Sequence, residues 1–139
     1  GYDQIIHDVA VQNIPVIFCL DRTGLVGADG PTHHGAFDLA ALRIIPNMIV
    51  AAPIDEPELR NMMYSAMNDR SNPMVIRYPR GNGNIPNWRN EFQNIPIGKG
   101  RVLLDGKRIG VLSLGTIGTK ISGILDRLRA KEINIGWAD

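Results

Sequence analysis

Residues 47–78, NMIVAAPIDEPELRNMMYSAMNDRSNPMVIRY, decide the fold. Met48–Ala52 is a short apolar run closed by Pro53, and Met74–Tyr78 is a second such run. Runs of this length without alternation read as strands of a buried parallel sheet. Between them Asp55 can cap a helix, Pro57 falls in its first turn, and Glu58 stands three residues after the cap. Leu59, Met62, Met63, Ala66 and Met67 follow at i, i+3, i+4, i+7 and i+8, one apolar face facing a core. Strand, helix and strand in this order predict an α/β unit with a parallel sheet.

Working outward, Pro15–Asp21 is another almost wholly apolar run, expected as a strand covered on both faces, with Cys19 an inert buried side chain. Ile5, Ile6, Val9 and Ala10 predict a helix at the start, with His7 on its face, and Phe37–Ile45 predicts a short one. From Asn82 to Gly100 the composition turns to Asn, Pro and Gly, a linker signature. Beyond it, Arg101–Leu104 and Arg108–Leu114 flank Asp105-Gly106, which predicts a hairpin, with the basic residues Lys99, Arg101, Lys107 and Arg108 solvated around it. A helix follows, with Ile117, Ile121, Ile124, Leu125 and Leu128 on one face, and then a strand over Ile133–Asp139. The second block has apolar strands but one helix to cover them. Residues 93–139 are therefore expected to be poorly ordered alone or packed on a partner. A helix-like start without a cap and a core strand at the end read as a piece of a longer polypeptide.

Composition narrows the function classes. Leu, Ile, Val and Phe supply 40 of 139 residues, well above the roughly 20% floor for a chain that folds. Fifteen Lys and Arg against 14 Asp and Glu leave a net charge of +1, no electrostatic footprint for nucleic acid or an acidic membrane. No apolar run reaches the ~18 residues of a membrane span, and a single cysteine excludes an internal disulfide. The expectation is a soluble, globular chain of a reducing compartment, with no nucleic-acid or membrane partner.

Chemistry concentrates after the strands. Ligands bind open parallel sheets beyond the carboxyl ends of the strands, and two such ends carry an arginine, Arg22 and Arg80. Only Arg22 and Arg43 are cationic among the first 54 residues, so Arg22 is no part of a charged stripe. Paired guanidinium forks suit a phosphate; tying down a loop or pairing with a carboxylate is the plainer use. Residues 22–36, glycine-rich and about 15 long, also hold Asp29, His33 and His34. A histidine here can exchange a proton with a reacting oxygen, and Asp29 can orient it or bind a hydroxyl. One of the histidines is expected to serve only the loop. No metal-ligand spacing is present. Gly115-Thr116-Ile117-Gly118 lacks the phosphate-binding glycine patterns and reads as a helix-packing turn.

Taken together, Tyr2–Asp8, the run Asp21-Arg22-Thr23-Gly24-Leu25-Val26-Gly27-Ala28-Asp29-Gly30-Pro31-Thr32-His33-His34-Gly35-Ala36-Phe37-Asp38, and Arg77-Tyr78-Pro79-Arg80-Gly81 resemble the 1-deoxy-D-xylulose-5-phosphate synthase family of the transketolase superfamily. Transketolases share the Asp-Gly-Pro-Thr-His core but differ before it and lack Arg-Tyr-Pro-Arg-Gly. Beta subunits of 2-oxo-acid dehydrogenases match the loop less well. These, and a non-catalytic dimerisation fragment, are the alternatives. The resemblance implies the transketolase pyrimidine-domain fold, its C-terminal part at residues 1–92, followed at 93–139 by a linker and the first part of a truncated α/β C-terminal domain. It implies a homodimer using thiamine diphosphate and Mg2+ to condense pyruvate with glyceraldehyde 3-phosphate, feeding isoprenoid, thiamine and pyridoxal synthesis. By motif position, Arg22 and Arg80 would hold the acceptor's phosphate, with Asp29 and His33 as catalytic residues. The Mg2+–diphosphate motif and the activating glutamate have no counterpart here. No cofactor-binding or metal residue is therefore assigned within the chain, which alone is expected to be inactive.

Overall fold

The computed structural model describes residues 1–139. Three parallel strands, β1 (Ile17–Leu20), β2 (Ile49–Ala51) and β3 (Met74–Arg77), form one sheet in the order β1-β3-β2. Ile17 and Ile49 both stand beside Met74 in the register. Successive side chains of a strand point to opposite faces, and β3 uses both. Val75 packs with Ala10, Leu42 and Ile45, whereas Met74 and Ile76 pack with Ala66. The uninterrupted apolar run of β3 is thus explained: it is the central strand, and Val75 and Ile76 are fully buried.

The flanking strands are less enclosed than their sequences imply. β1 is an edge strand, and Cys19 is exposed, its sulfur 3.7 Å from that of Met63. The expectation of a doubly covered β1 with a buried cysteine is therefore corrected: in a three-stranded sheet only the middle strand has neighbours on both sides.

The crossover helix α3 (Glu56–Asn68) forms as its sequence requires, with the Asp55 carboxylate accepting from the Glu58 N–H at 2.8 Å. Glu58 does not return to the Asp55 backbone; it accepts from Ile54 N–H at 2.6 Å. Leu59, Met62 and Met63 pack on β3, but Met67 is exposed. At the other face lie α2 (Asp38–Leu42) and the first helix, which starts as α1 (Tyr2–Gln4) and widens to a π-helix over Ile5–Ala10. There Val11 N–H bonds Ile6 O and Ile14 N–H bonds Val9 O, five residues back. The wider turn keeps Ile5, Ile6 and Ala10 on the core side.

The second sheet contains β4 (Val102–Leu104), β5 (Ile109–Leu112) and β6 (Ile135–Ala138), in the order β4-β6-β5. The expected hairpin does not form. β6 lies between the two strands, antiparallel to β4 and parallel to β5. Gly106 is required for a different reason from a tight turn: a Cβ there would overlap the Ile135–Gly136 backbone that crosses beside it. Helix α4 (Ile117–Arg129) buries Leu125, but Ile117 and Ile124 are about half exposed, so its covered stripe is narrower than the apolar one. Gly118 packs against Ile54, consistent with a helix-packing turn. Leu112 is 86% exposed and Val102 68%, so the face left open by a single helix is visible. No helix is long and apolar enough to cross a membrane.

The segment between the sheets is irregular but fastened to α3. Asn61 Oδ1 accepts from Gln93 N–H and Ser65 Oγ from Ile95 N–H, at 3.1 and 2.7 Å. Phe92 stacks on Tyr64 with ring centres 4.7 Å apart. Arg101, among the expected solvated bases, is half exposed and pairs with the nearly buried Glu58 at 3.0 Å.

Candidate phosphate-binding rim

The loop from β1 to α2 leaves the carboxyl end of an edge strand, with its start held by the central strand's exit. Tyr78 N–H donates to Leu20 O at 2.9 Å, and Thr23 N–H to Tyr78 O at 3.1 Å. Between these bonds Arg22 takes a left-handed backbone, φ 58°, which costs a side-chain-bearing residue of order 1–2 kcal/mol. Gly24 and Gly35 then exchange backbone hydrogen bonds at 3.3 and 3.0 Å and close the loop on itself. Inside the closure lie two short 3-10 turns, Gly27–Asp29 and Pro31–His33. The left-handed backbone at Gly24, Gly27 and Gly30 suits the residue without a Cβ.

This path brings Arg22, Asp29 and Arg80 together. One carboxylate oxygen, Asp29 Oδ2, accepts a hydrogen bond from Arg22 Nε at 3.1 Å and forms an ion pair with Arg80 Nε at 3.0 Å. Arg22 also reaches Asp21 through Nη1 at 2.6 Å. The Arg22 pKa is raised, first by its hydrogen bond to Asp29 and then by the charge of Asp21, so it stays a cation throughout the working range. Both guanidinium groups are about half exposed, whereas Asp29 is 21% exposed. The two arginines therefore share one rim, and what they meet there is a carboxylate, the plainer of the two uses expected of them. A guanidinium has five N–H donors, and Arg80 engages only its Nε, so donors remain at the rim for an oxyanion from outside.

The histidines divide their work. His34 Nδ1 accepts from Val26 N–H at 3.1 Å, which leaves the neutral ring's proton on Nε2 and makes His34 the loop-ordering histidine. His33 is exposed, its Nδ1 3.1 Å from Thr32 Oγ1. Asp29 is not its orienting partner, since that carboxylate is bonded to the arginines. His33 thus lies one turn along the same loop but makes no bond to Arg22, Asp29 or Arg80.

Sequence reasoning missed a further ion pair. Arg77, the last residue of β3, grips Asp38, the first of α2, through Nε–Oδ2 at 2.6 Å and Nη2–Oδ1 at 3.3 Å, with side chains 12% and 13% exposed. The partners are 39 residues apart. Their only signal in the sequence is that one ends a strand and the other starts the helix on the sheet's face.

Comparison with known proteins puts this arrangement in context. Residues 1–86 match the family described as transketolase, pyrimidine binding domain. The 1-deoxy-D-xylulose-5-phosphate synthase of Bacteroides thetaiotaomicron is 55% identical over 131 residues, 94% of this chain and 20% of that protein. The synthase of Parabacteroides distasonis is 51% identical over 139 residues, the whole of this chain and 22% of that protein. The chain therefore spans about a fifth of the length of the curated relatives it matches. A solved structure described as a split gene transketolase, inactive beta4 tetramer, superposes with a TM-score of 0.81 at 26% identity, covering 99% of this chain and 44% of that one.

Proposed function

We propose, for a chain that belongs to the transketolase pyrimidine-binding domain family, that it acts as part of a 1-deoxy-D-xylulose-5-phosphate synthase, a thiamine-diphosphate-dependent transferase condensing pyruvate with glyceraldehyde 3-phosphate. The convergence of Arg22 and Arg80 on Asp29 at the carboxyl edge of a parallel sheet carries this reading. The synthases that match along nearly the whole chain support it. In this reading residues 1–92 end the pyrimidine-binding domain and 93–139 begin the C-terminal domain. The enzyme is a cytoplasmic homodimer.

Arg22 and Arg80 hold the acceptor's phosphate with the donors that Asp29 leaves unused. Spending phosphate binding energy there fixes the aldehyde's position at the reacting end. Asp29 keeps the two cations at one spacing and meets a substrate hydroxyl. His33, exposed on the adjoining turn, delivers a proton to the oxygen that becomes an alkoxide. The chain's own side chains do not fit a Mg2+–diphosphate site, because no three His, Cys, Asp or Glu groups converge. The cofactor and its metal are accordingly assigned to other parts of the synthase, and the 139 residues alone are inactive.

The test is Arg80→Ala in the full synthase carrying this chain. Loss of charge-assisted hydrogen bonds of about 1.5–3 kcal/mol raises KM for glyceraldehyde 3-phosphate roughly 10- to 150-fold, and KM for unphosphorylated glyceraldehyde little. Equal losses with both acceptors would favour a transketolase-type enzyme for another acceptor.

A further inference from the structure

We propose that the Asp38–Arg77 ion pair is a positioning device for the phosphate end of the acceptor. This extends the functional reading above and rests on it. Three successive points of the β1–α2 loop are tied to one short stretch of chain, the exit of β3. Thr23, near the loop's start, donates its N–H to Tyr78 O. Asp29, in its middle, is ion-paired with Arg80. Asp38, at its end, is held by Arg77. Displacing the loop as a whole from the strand exit therefore breaks at least one of the three ties.

The ties differ in kind. The Asp29–Arg80 contact has a half-exposed cation, is screened by water, and is the one an incoming phosphate must share. The Asp38–Arg77 pair is nearly nine-tenths buried and bidentate, so its planar geometry sets an orientation as well as a distance. Arg77 leaves β3 three residues before Arg80, and Asp38 follows His33 by five. The buried pair thus holds the loop's far end while the rim arginines take up the phosphate beside Asp29. Neither Asp38 nor Arg77 makes a hydrogen bond or ion pair to Arg22, Asp29 or Arg80, so both act through the backbone between.

The experiment uses the full synthase carrying this chain, with Asp38→Asn and Arg77→Lys made separately. Asn keeps the size of Asp38 and one acceptor; Lys keeps the charge of Arg77 but not its fork. Folding is checked by circular dichroism and thermal melting, and Arg77→Lys serves if Asp38→Asn does not fold. Steady-state kinetics are measured with glyceraldehyde 3-phosphate and with unphosphorylated glyceraldehyde, and calorimetry follows inorganic phosphate binding. The expected result is a KM for the phosphorylated acceptor raised about tenfold, little change for the unphosphorylated one, and inorganic phosphate bound about tenfold more weakly. A lowered melting temperature with unchanged KM values overturns the proposal, as does an equal KM rise for both acceptors. If the parent synthase itself shows no preference for the phosphorylated acceptor, the functional reading fails and the calorimetry decides the positioning role alone. Inorganic phosphate bound equally by variant and parent then overturns it, and so does no binding by the parent.

Discussion

Gly35→Ala is the sharpest probe of the loop closure. A Cβ at Gly35 would lie 2.7 Å from Thr23 Cα and 2.8 Å from Arg22 O. Both are backbone atoms, and neither can swing aside as a flexible side chain would. The substitution therefore opens the Gly24–Gly35 bridge, whose two hydrogen bonds are worth about 0.5–1.5 kcal/mol each. Residual overpacking adds about 1–3 kcal/mol. Together these make opening of the loop easier by roughly 2–6 kcal/mol, or about 30- to 25,000-fold in the opening equilibrium. Amide hydrogen exchange on the full synthase carrying this chain, read at Gly24 and Gly35, measures that change directly. The Val75 and Ile76 amides, in the buried strand, keep their protection. Because Arg22 O is one of the atoms pushed, the proposed function predicts that the KM for a phosphorylated acceptor rises in parallel. Gly123→Ala is the control, since its Cβ would meet nothing within 4 Å and its backbone carries no positive φ. Unchanged protection at Gly24 and Gly35 in Gly35→Ala would refute the closure.

Two further outcomes concern α3. Asp55→Ala removes the cap on Glu58 N–H and costs about 1 kcal/mol, seen as a lower melting temperature in thermal circular dichroism; an unchanged melting curve would sink the capping assignment. Burial raises the Glu58 pKa, against the opposing effects of the Ile54 N–H bond and the Arg101 charge. The folded chain thus binds this proton more tightly than the unfolded one. Glu58's contribution to stability is full below the unfolded carboxylate pKa of about 4.3 and is lost as pH rises through the raised folded value. Glu58→Gln should flatten that limb in urea-unfolding midpoints measured against pH, and parallel slopes in the two proteins would refute the assignment.

Local chemistry determined much of this molecule. The apolar runs at Ile17–Leu20, Ile49–Ala51 and Met74–Arg77 each become a strand, because runs of that length satisfy their polar backbone in a sheet. Asp55 starts a helix because its carboxylate reaches an otherwise unpaired N–H three residues on. The arginines after two parallel strands are legible as rim residues from topology alone. What a strand lies beside was not legible. Asp105-Gly106 satisfies a hairpin locally, yet β6 enters between its arms, since pairing depends on a strand nearly thirty residues away. Cys19 reads as core and stands at an open edge for the same reason. Tertiary structure alone decided that Asp29 binds both arginines and not His33, that His34 orders the loop, and that Asp38 meets Arg77. Backbone propensity acts over a few neighbouring residues. Ion pairs between residues dozens of positions apart form only after the sheet has brought their strand ends together.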